Sequence, residues 1–496
     1  MKIKTLAIAA LFLAVAATVI AADKRPNIVF ILADDLGYGD IGPFGQKIIR
    51  TPTLDKLASE GMKFTQHYTG SPVCAPSRCV FMTGKHAGHA FVRNNSEVGK
   101  WDSFQGQLPL PATETTIASL LKSAGYSTAA FGKWGLGGIG SEGDPLKHGF
   151  DHFFGFNCQR HAHNYFPQYL NDDEGKLQLP GNANVSEKAG LSLAPGADPN
   201  DPASYANFIG KQYAPDLCNE RALQFIRDNK EKSFFLYYPT TVPHLALQVP
   251  EDSLADYKGK LDDKPYVGGN GYLPHQSPRA AYAAMITRMD RDIGKLVQLV
   301  KDLGLEENTI FIFTSDNGAV YPLAGVDSAY FKSNGDLHGH KGDIYEGGIR
   351  TPLVVRWKGH VPENVTSTRV TGFEDWMPTL LELAGAIDAT PKTADGISFA
   401  PTLLGGTQEA RPFLYREFTG YGGQQAVRVG DWKLVKRNLV KKPANPTTEL
   451  YNLTSDPAEK DNVAKEHPDI VAKLEKLASE QHTPSKEFPF PALDKN

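Results

Sequence analysis

Four short runs limit what this chain can fold into more than any other feature: Ile28 to Leu32, Ser127 to Phe131, Phe234 to Tyr238 and Thr309 to Phe313. They read as strands buried on both faces, the mark of a parallel sheet. Leu353-Val354-Val355 is expected to add another. Helical patterns lie between them. Tyr282, Ile286, Met289, Ile293, Leu296, Val297 and Val300 recur at helical spacing, with Gly304 as a stop, and Ile117, Leu120 and Leu121 form a shorter face closed by Gly125. Strands alternating with helices predict an α/β fold: a mostly parallel, mixed sheet sandwiched by helices. After about Gly385 the character changes. Leu414 to Phe418, Gln425 to Val429 and Trp432 to Lys436 read as short strands, and Asp469 to Gln481 as a helix. A small C-terminal α+β subdomain with a short antiparallel sheet is therefore expected over residues 386–496, behind a large main domain over 23–385. Asn171 to Pro202 and Asp252 to Arg279, rich in turn formers, read as inserted loops that could shape a pocket rim.

The first 22 residues read as a signal peptide. Lys2 and Lys4 precede an apolar stretch from Leu6 to Ile20, and Ala21-Ala22 offers a cleavage point. The stretch is short for a membrane span and is followed at once by Asp23, Lys24 and Arg25. The expectation is a secreted or periplasmic protein without a membrane anchor. With 52 basic and 56 acidic side chains the net charge is −4, which argues against nucleic acid as a partner. An anionic ligand would need local Lys and Arg groups to hold it. Of the four cysteines, Cys74 and Cys79 would stand about 7.5 Å apart along one helix, too far for a disulfide; Cys158 with Cys218 stays open.

Ligands of open α/β sheets bind beyond the carboxyl ends of the strands. Asp34 and Asp35 follow the first strand, Lys133 the second, His244 the third, and Asp316 and Asn317 the fourth. Each has a plain reading alone: a turn or cap for the acids, a solvated lysine, a loop histidine. Together, at the tips of separate strands of one sheet, Asp34, Asp35, Asp316 and Asn317 make a hard-oxygen set suited to Ca²⁺, with Mg²⁺ second, rather than zinc. The stretch Ser71-Pro72-Val73-Cys74-Ala75-Pro76-Ser77-Arg78 adds a cysteine at a helix start, with Pro76 in the first turn and Gly84 as terminator. Free N–H groups there favour an anion, and Arg78 reaches back toward the same spot. A lone cysteine in that place would ordinarily be structural.

Cys74-Ala75-Pro76-Ser77-Arg78 resembles the C-x-P-S-R signature of the type I sulfatases, members of the alkaline phosphatase superfamily. The resemblance extends to Pro26-Asn27-Ile28 through Asp34-Asp35-Leu36-Gly37, Gly132-Lys133-Trp134, Pro243-His244, Ser315-Asp316-Asn317-Gly318, Lys341 with Glu346-Gly347-Gly348, and Leu450-Tyr451-Asn452-Leu453 with Asp456-Pro457, in family order. It implies a sulfuric ester hydrolase in which a sulfatase-maturating enzyme oxidises Cys74 to formylglycine. One hydroxyl of the hydrated aldehyde would attack sulfur and the other would expel sulfate afterwards. Asp34, Asp35, Asp316, Asn317 and residue 74 would hold the metal. Arg78 would anchor the residue-74 hydroxyl, Lys133 and Lys341 would bind sulfate oxygens, and His244, with Lys341, would protonate the leaving alcohol.

One departure stands out. Family members often carry a histidine directly after G-K-W, placed to deprotonate the second hydroxyl; here the position is Gly135. His161, His163, His338 and His340 are candidates to replace it. Arg93, Asn94, Asn95, His161 and His163 are candidate substrate contacts. By analogy the substrate is a sulfated carbohydrate, with a terminal sulfated galactose or N-acetylgalactosamine as the specific expectation. The alternatives are a phosphoester or phosphonate hydrolase of the same superfamily, or a glycan-binding protein that has lost catalysis.

Overall fold

A computed structural model describes residues 25–97, 106–186, 191–440 and 445–494. The expected signal peptide lies outside the described residues. The main sheet runs, edge to edge, through Val365–Ser367, Met62–Tyr68, Arg350–Arg356, Thr309–Ser315, Asn27–Ala33, Phe234–Pro239, Ser127–Lys133, His152–Phe156, Tyr169–Asp172 and Gly175–Gln178. The middle of this order, from Thr309–Ser315 to His152–Phe156, is parallel. The four strands expected from the apolar runs are adjacent to one another there. Arg350–Arg356 is a strand, as its run of Leu and Val requires, but it lies antiparallel to both neighbours. The sheet is therefore mixed.

Alternate residues of the Asn27–Ala33 strand enter different cores, as a pleated strand dictates. Val29 and Ile31 pack with Tyr282, Ile286 and Ile293 of the Pro278–Asp302 helix on one face. Ile28, Phe30 and Leu32 pack with Phe81 and Met82 of the Cys74–Thr83 helix and with Trp376 on the other. Helices thus cover both faces, and every residue of the strand is buried. Among the described residues no helix is long and apolar enough to cross a membrane.

Past residue 413 a separate antiparallel sheet joins Leu414–Phe418, Gln424–Val429, Trp432–Arg437 and Thr447–Asn452 in that order. The Pro468–Glu480 helix covers one face through Leu474 and Ala478 against Val427, Leu434 and Leu450. The other face meets the main body through Leu414, Ala426 and Val435 against Tyr68 and Ile349. The region Asn171 to Pro202, expected as an inserted loop, begins within a hairpin, Tyr169–Asp172 paired to Gly175–Gln178. All four cysteines are free and buried.

Candidate active site

The main sheet delivers its polar residues to one end. Asp34 and Asp35 leave the Asn27–Ala33 strand, and Asp35 takes a positive φ of 65° that turns the chain out of the sheet, a conformation a short polar side chain tolerates. Asp316 and Asn317 leave the neighbouring strand in step, since Ala33 pairs with Ser315. The Asp35 N–H donates to Asp316 Oδ1 at 3.2 Å and Asn317 Nδ2 donates to Asp35 Oδ1 at 2.8 Å. Lys133 ends its own strand and donates from Nζ to Asp34 Oδ2 at 2.7 Å. Cys74 opens the Cys74–Thr83 helix and places Sγ 3.4 Å from Asp34 Oδ1. Four residues along, Arg78 donates from Nε and Nη2 to Asp316 Oδ2 at 3.0 and 2.8 Å, and from Nη1 to the Lys133 carbonyl. Lys341 Nζ donates to Asp35 Oδ2 at 2.8 Å. His244 Nε2 stands 3.5 Å from Asp35 Oδ2. Because the Leu245 carbonyl can only accept, the His244 contact with it assigns the hydrogen to Nδ1 and leaves Nε2 facing the cluster.

Three carboxylates and three cations are thus interlocked with almost no solvent contact. Burial alone would raise Asp34, but the charges of Lys133, Arg78 and Lys341 outweigh it and hold its carboxyl far below the usual range. Burial and the Asp34 charge push Asp316 up to about 6 against Arg78. Lys341 is held well above its ordinary value: burial opposes this, and the charge on Asp35 prevails. Burial, with Lys341 next, keeps His244 well below its usual value and therefore neutral. Burial and Asp34 together push the Cys74 thiol far up, so a thiolate is disfavoured there.

The residues present fit a hard dication. Asn317 Oδ1 is buried without a hydrogen-bond partner, beside three carboxylates. One ligand atom each from Asp34, Asp35, Cys74 and His244 lie within 4.8 Å of one another. Asp316 borders this group with Oδ2 turned to Arg78. All the expected catalytic and metal-ligating residues are therefore gathered in one place.

The expected sugar contacts divide. His163 stacks on His244 with centroids 4.7 Å apart and also faces Tyr272. His161 is buried against Phe156 and Tyr169. Arg93 is 4% exposed and donates to the Ala90 carbonyl, Glu417 Oε1 and the Thr483 carbonyl. Through these bonds it braces the C-terminal sheet. Asn94 bridges to Thr419, and Asn95 Oδ1 accepts from the Ala75 N–H at 3.0 Å, capping the helix that carries Cys74. Of the other histidines considered for position 135, His338 stacks on Tyr345, while the His340 N–H binds Asp343. Sequence reasoning missed two rim tyrosines. Tyr272 lies beside His244 and His163, and Tyr421, 58% exposed, closes on Gly342 next to Lys341. Each sits in an irregular loop with no periodic signal. A large cavity of about 750 Å³ runs beside Val365 to Val370 and contains none of these groups; the chemistry places the site elsewhere.

Comparison with known proteins gives a consistent answer. The Sulfatase family model matches residues 26–386, and the model for the C-terminal part of N-sulphoglucosamine sulphohydrolase matches residues 338–483. Human arylsulfatase A is 32% identical, covering 94% of this chain and 89% of its own. Human N-acetylgalactosamine-6-sulfatase is 31% identical over 79% of this chain and 69% of its own. Among solved structures, Ps i-CgsB aligns with TM-score 0.72 at 26% identity, covering 92% of this chain and 93% of that one; its complex with k-i-k-neocarrahexaose gives the same values.

Proposed function

Because the chain belongs to the sulfatase family and is a sulfuric ester hydrolase, we propose that it removes sulfate from a sulfated saccharide, with a formylglycine made from Cys74 as nucleophile and Ca²⁺ as metal. The observation that carries this reading is the meeting of Cys74 with Asp34, Lys133 and Arg78 at the strand tips. When bound, Ca²⁺ would neutralise sulfate oxygens and lower the pKa of a hydroxyl on residue 74. Asp34, Asp35, Asp316, the orphaned Oδ1 of Asn317 and residue 74 would hold it.

The chain's own residues do the rest. Arg78 and Lys133 fix residue 74 and its surroundings. Lys133 and Lys341 bind the sulfate oxygens as charge builds on them. Lys341, held in its charged form, gives the proton to the departing alcohol, and the bare Nε2 of the neutral His244, oriented by the Leu245 carbonyl, faces the same point. A terminal sulfated galactose or N-acetylgalactosamine is the proposed substrate unit. The relatives named N-acetylgalactosamine-6-sulfatase support it, as does the sugar complex of Ps i-CgsB. Tyr272, His163 and Tyr421 would line the rim against the sugar ring. Residues 1–22 act as an export signal, residues 23–385 form the catalytic domain and 386–496 the C-terminal subdomain. Export to the periplasm or beyond follows, with a maturation enzyme acting on Cys74.

The test combines mass spectrometry of the Cys74 peptide with sulfate release from defined sulfated galactose and N-acetylgalactosamine saccharides, beside matched aryl sulfates and aryl phosphates. We expect the mass loss of thiol-to-aldehyde conversion, and sulfate release that vanishes in Cys74→Ala. Full release by Cys74→Ala would contradict the mechanism. Preference for the phosphate esters would contradict the substrate class.

A further inference from the structure

Gly135 lies beside Arg78, and the side chain of Gln159 fills the room that a side chain at 135 would take. The glycine follows Trp134 just past the Ser127–Lys133 strand with φ of 78°. A Cβ placed on it would stand 2.4 Å from Gln159 Nε2 and 3.7 Å from Arg78 Cδ. The Gln159 amide therefore occupies the room directly off position 135, alongside the arginine that ties Asp316 to the Lys133 carbonyl. Gln159 is 6% exposed, yet neither its Nε2 nor its Oε1 has a hydrogen-bond partner. Buried polar side chains are nearly always paired, so an amide orphaned at both ends needs a reason. Its backbone is held at its own N–H, and the strand-end segment it belongs to is held two residues earlier. Its N–H donates to Gln107 Oε1 at 3.3 Å, and Gln107 Nε2 donates to the Ser96 carbonyl at 2.9 Å. The residue before Ser96 is Asn95, which caps Ala75. On the other side Gly135 N–H donates to the Asn157 carbonyl at 3.1 Å. Gln159 is thus fixed between the start of the Cys74 helix and the loop after Lys133.

We propose that Gln159 is a positioning residue for the side chain at 74. Its Nε2 donates to one hydroxyl of the hydrated aldehyde and its Oε1 accepts from it. The inference rests on conversion of Cys74 to formylglycine. Hydration adds a water oxygen to the aldehyde carbon, opens the C=O π bond and delivers one water proton to the former carbonyl oxygen; no oxidant or reductant enters. A hydroxyl both donates and accepts, and so does a primary amide. A carboxamide takes up no proton near neutral pH, so Gln159 orients this hydroxyl and favours the diol without ionising it.

The experiment uses the converted, calcium-saturated enzyme labelled with ¹³C at cysteine Cβ, so that the aldehyde and diol carbons of residue 74 are separately visible by NMR. Gln159→Met keeps the shape and removes both polar atoms. We expect the diol-to-aldehyde ratio to fall about fivefold, the scale of one net hydrogen bond, with kcat reduced and KM held. The melting temperature should hold or rise, because a buried unpaired amide is lost. Gln159→Ala should move the ratio in the same direction and serves if the Met variant does not fold. An unchanged ratio in either folded variant overturns the inference while leaving a converted residue 74 in view. Absence of both carbons in an active preparation overturns the formylglycine reading, and the inference with it.

Discussion

At Asp34, Asp35 and Asp316 three carboxylates meet Arg78, Lys133 and Lys341, so the formal charge of the cluster sums to zero before a guest enters. A lone sulfate would face three buried acids, and a lone dication three buried cations. Bound together they leave the local balance nearly unchanged, so each should favour the other. Reciprocal coupling of this kind amounts to roughly 5- to 150-fold in affinity. Inorganic sulfate should therefore bind the Ca²⁺-loaded protein at least about tenfold more tightly than the chelated protein, as read by titration calorimetry. Equal affinities would remove this account of the cluster. The orphaned Oδ1 of Asn317 gives a sharper test of the ligand set. Asn317→Ala should weaken Ca²⁺ about tenfold or more, equivalent to about 1.4 kcal/mol. A variant with unchanged Ca²⁺ affinity would strike Asn317 from the ligands.

The Cys74–Thr83 helix begins without a cap of its own: Val73 at its N-cap offers no side-chain acceptor. Asn95, 20 residues on, supplies one to Ala75. Loss of an N-terminal cap costs about 1 kcal/mol. Asn95→Ala should lower unfolding free energy by about that much in a urea titration, and should also loosen the turn that presents residue 74. An unaltered midpoint would deny the contact a stabilising part. That Asn95 is a cap could not be read from the chain, where it looks like a polar loop residue beside Arg93. The partner of Arg93 is Glu417, separated by 324 positions. Local sequence carries no sign of such a pairing. The central strands, by contrast, were legible because burial on both faces writes itself as an unbroken apolar run. Met62–Tyr68 and Thr447–Asn452 were not. Both mix buried with partly exposed positions, and the second appears in sequence only as the Leu450-Tyr451-Asn452 motif. The catalytic cluster was legible because strand ends in an open parallel sheet share an edge. The Gln159 amide was not, since its relation to Gly135 exists only once two loops fold together.

The C-terminal sheet is held to the main body by buried ionic contacts as well as by apolar packing. Arg416, 1% exposed, donates to both oxygens of Glu374 and to the Tyr68 and Thr69 carbonyls. Arg411 joins the same glutamate, and Lys433 pairs with Glu346 and Glu459. Removing one partner of such a pair strands a buried charge at a cost of about 3–5 kcal/mol. At the far end His482 lies between Glu417 and Asp494, its ring nitrogens 2.8 and 2.9 Å from their oxygens. Glu417 also receives Arg93 and the Tyr415 hydroxyl. Burial alone would lower His482, but the bonds to Glu417 and Asp494 prevail over burial and over Arg93, and its pKa is raised above 6.5. The folded state then binds this proton more tightly than the unfolded chain does. Stability from that source is complete below pH 6.5, declines as pH rises through the folded-state value, and is absent above it. Urea titrations at successive pH values should show unfolding free energy falling above that point in the parent protein. The fall should be shallower in His482→Gln, and the difference between the two curves cancels the remaining histidines. Superimposable slopes would mean that His482 joins the two carboxylates as a neutral hydrogen-bonding group and that the C-terminal closure is indifferent to its proton.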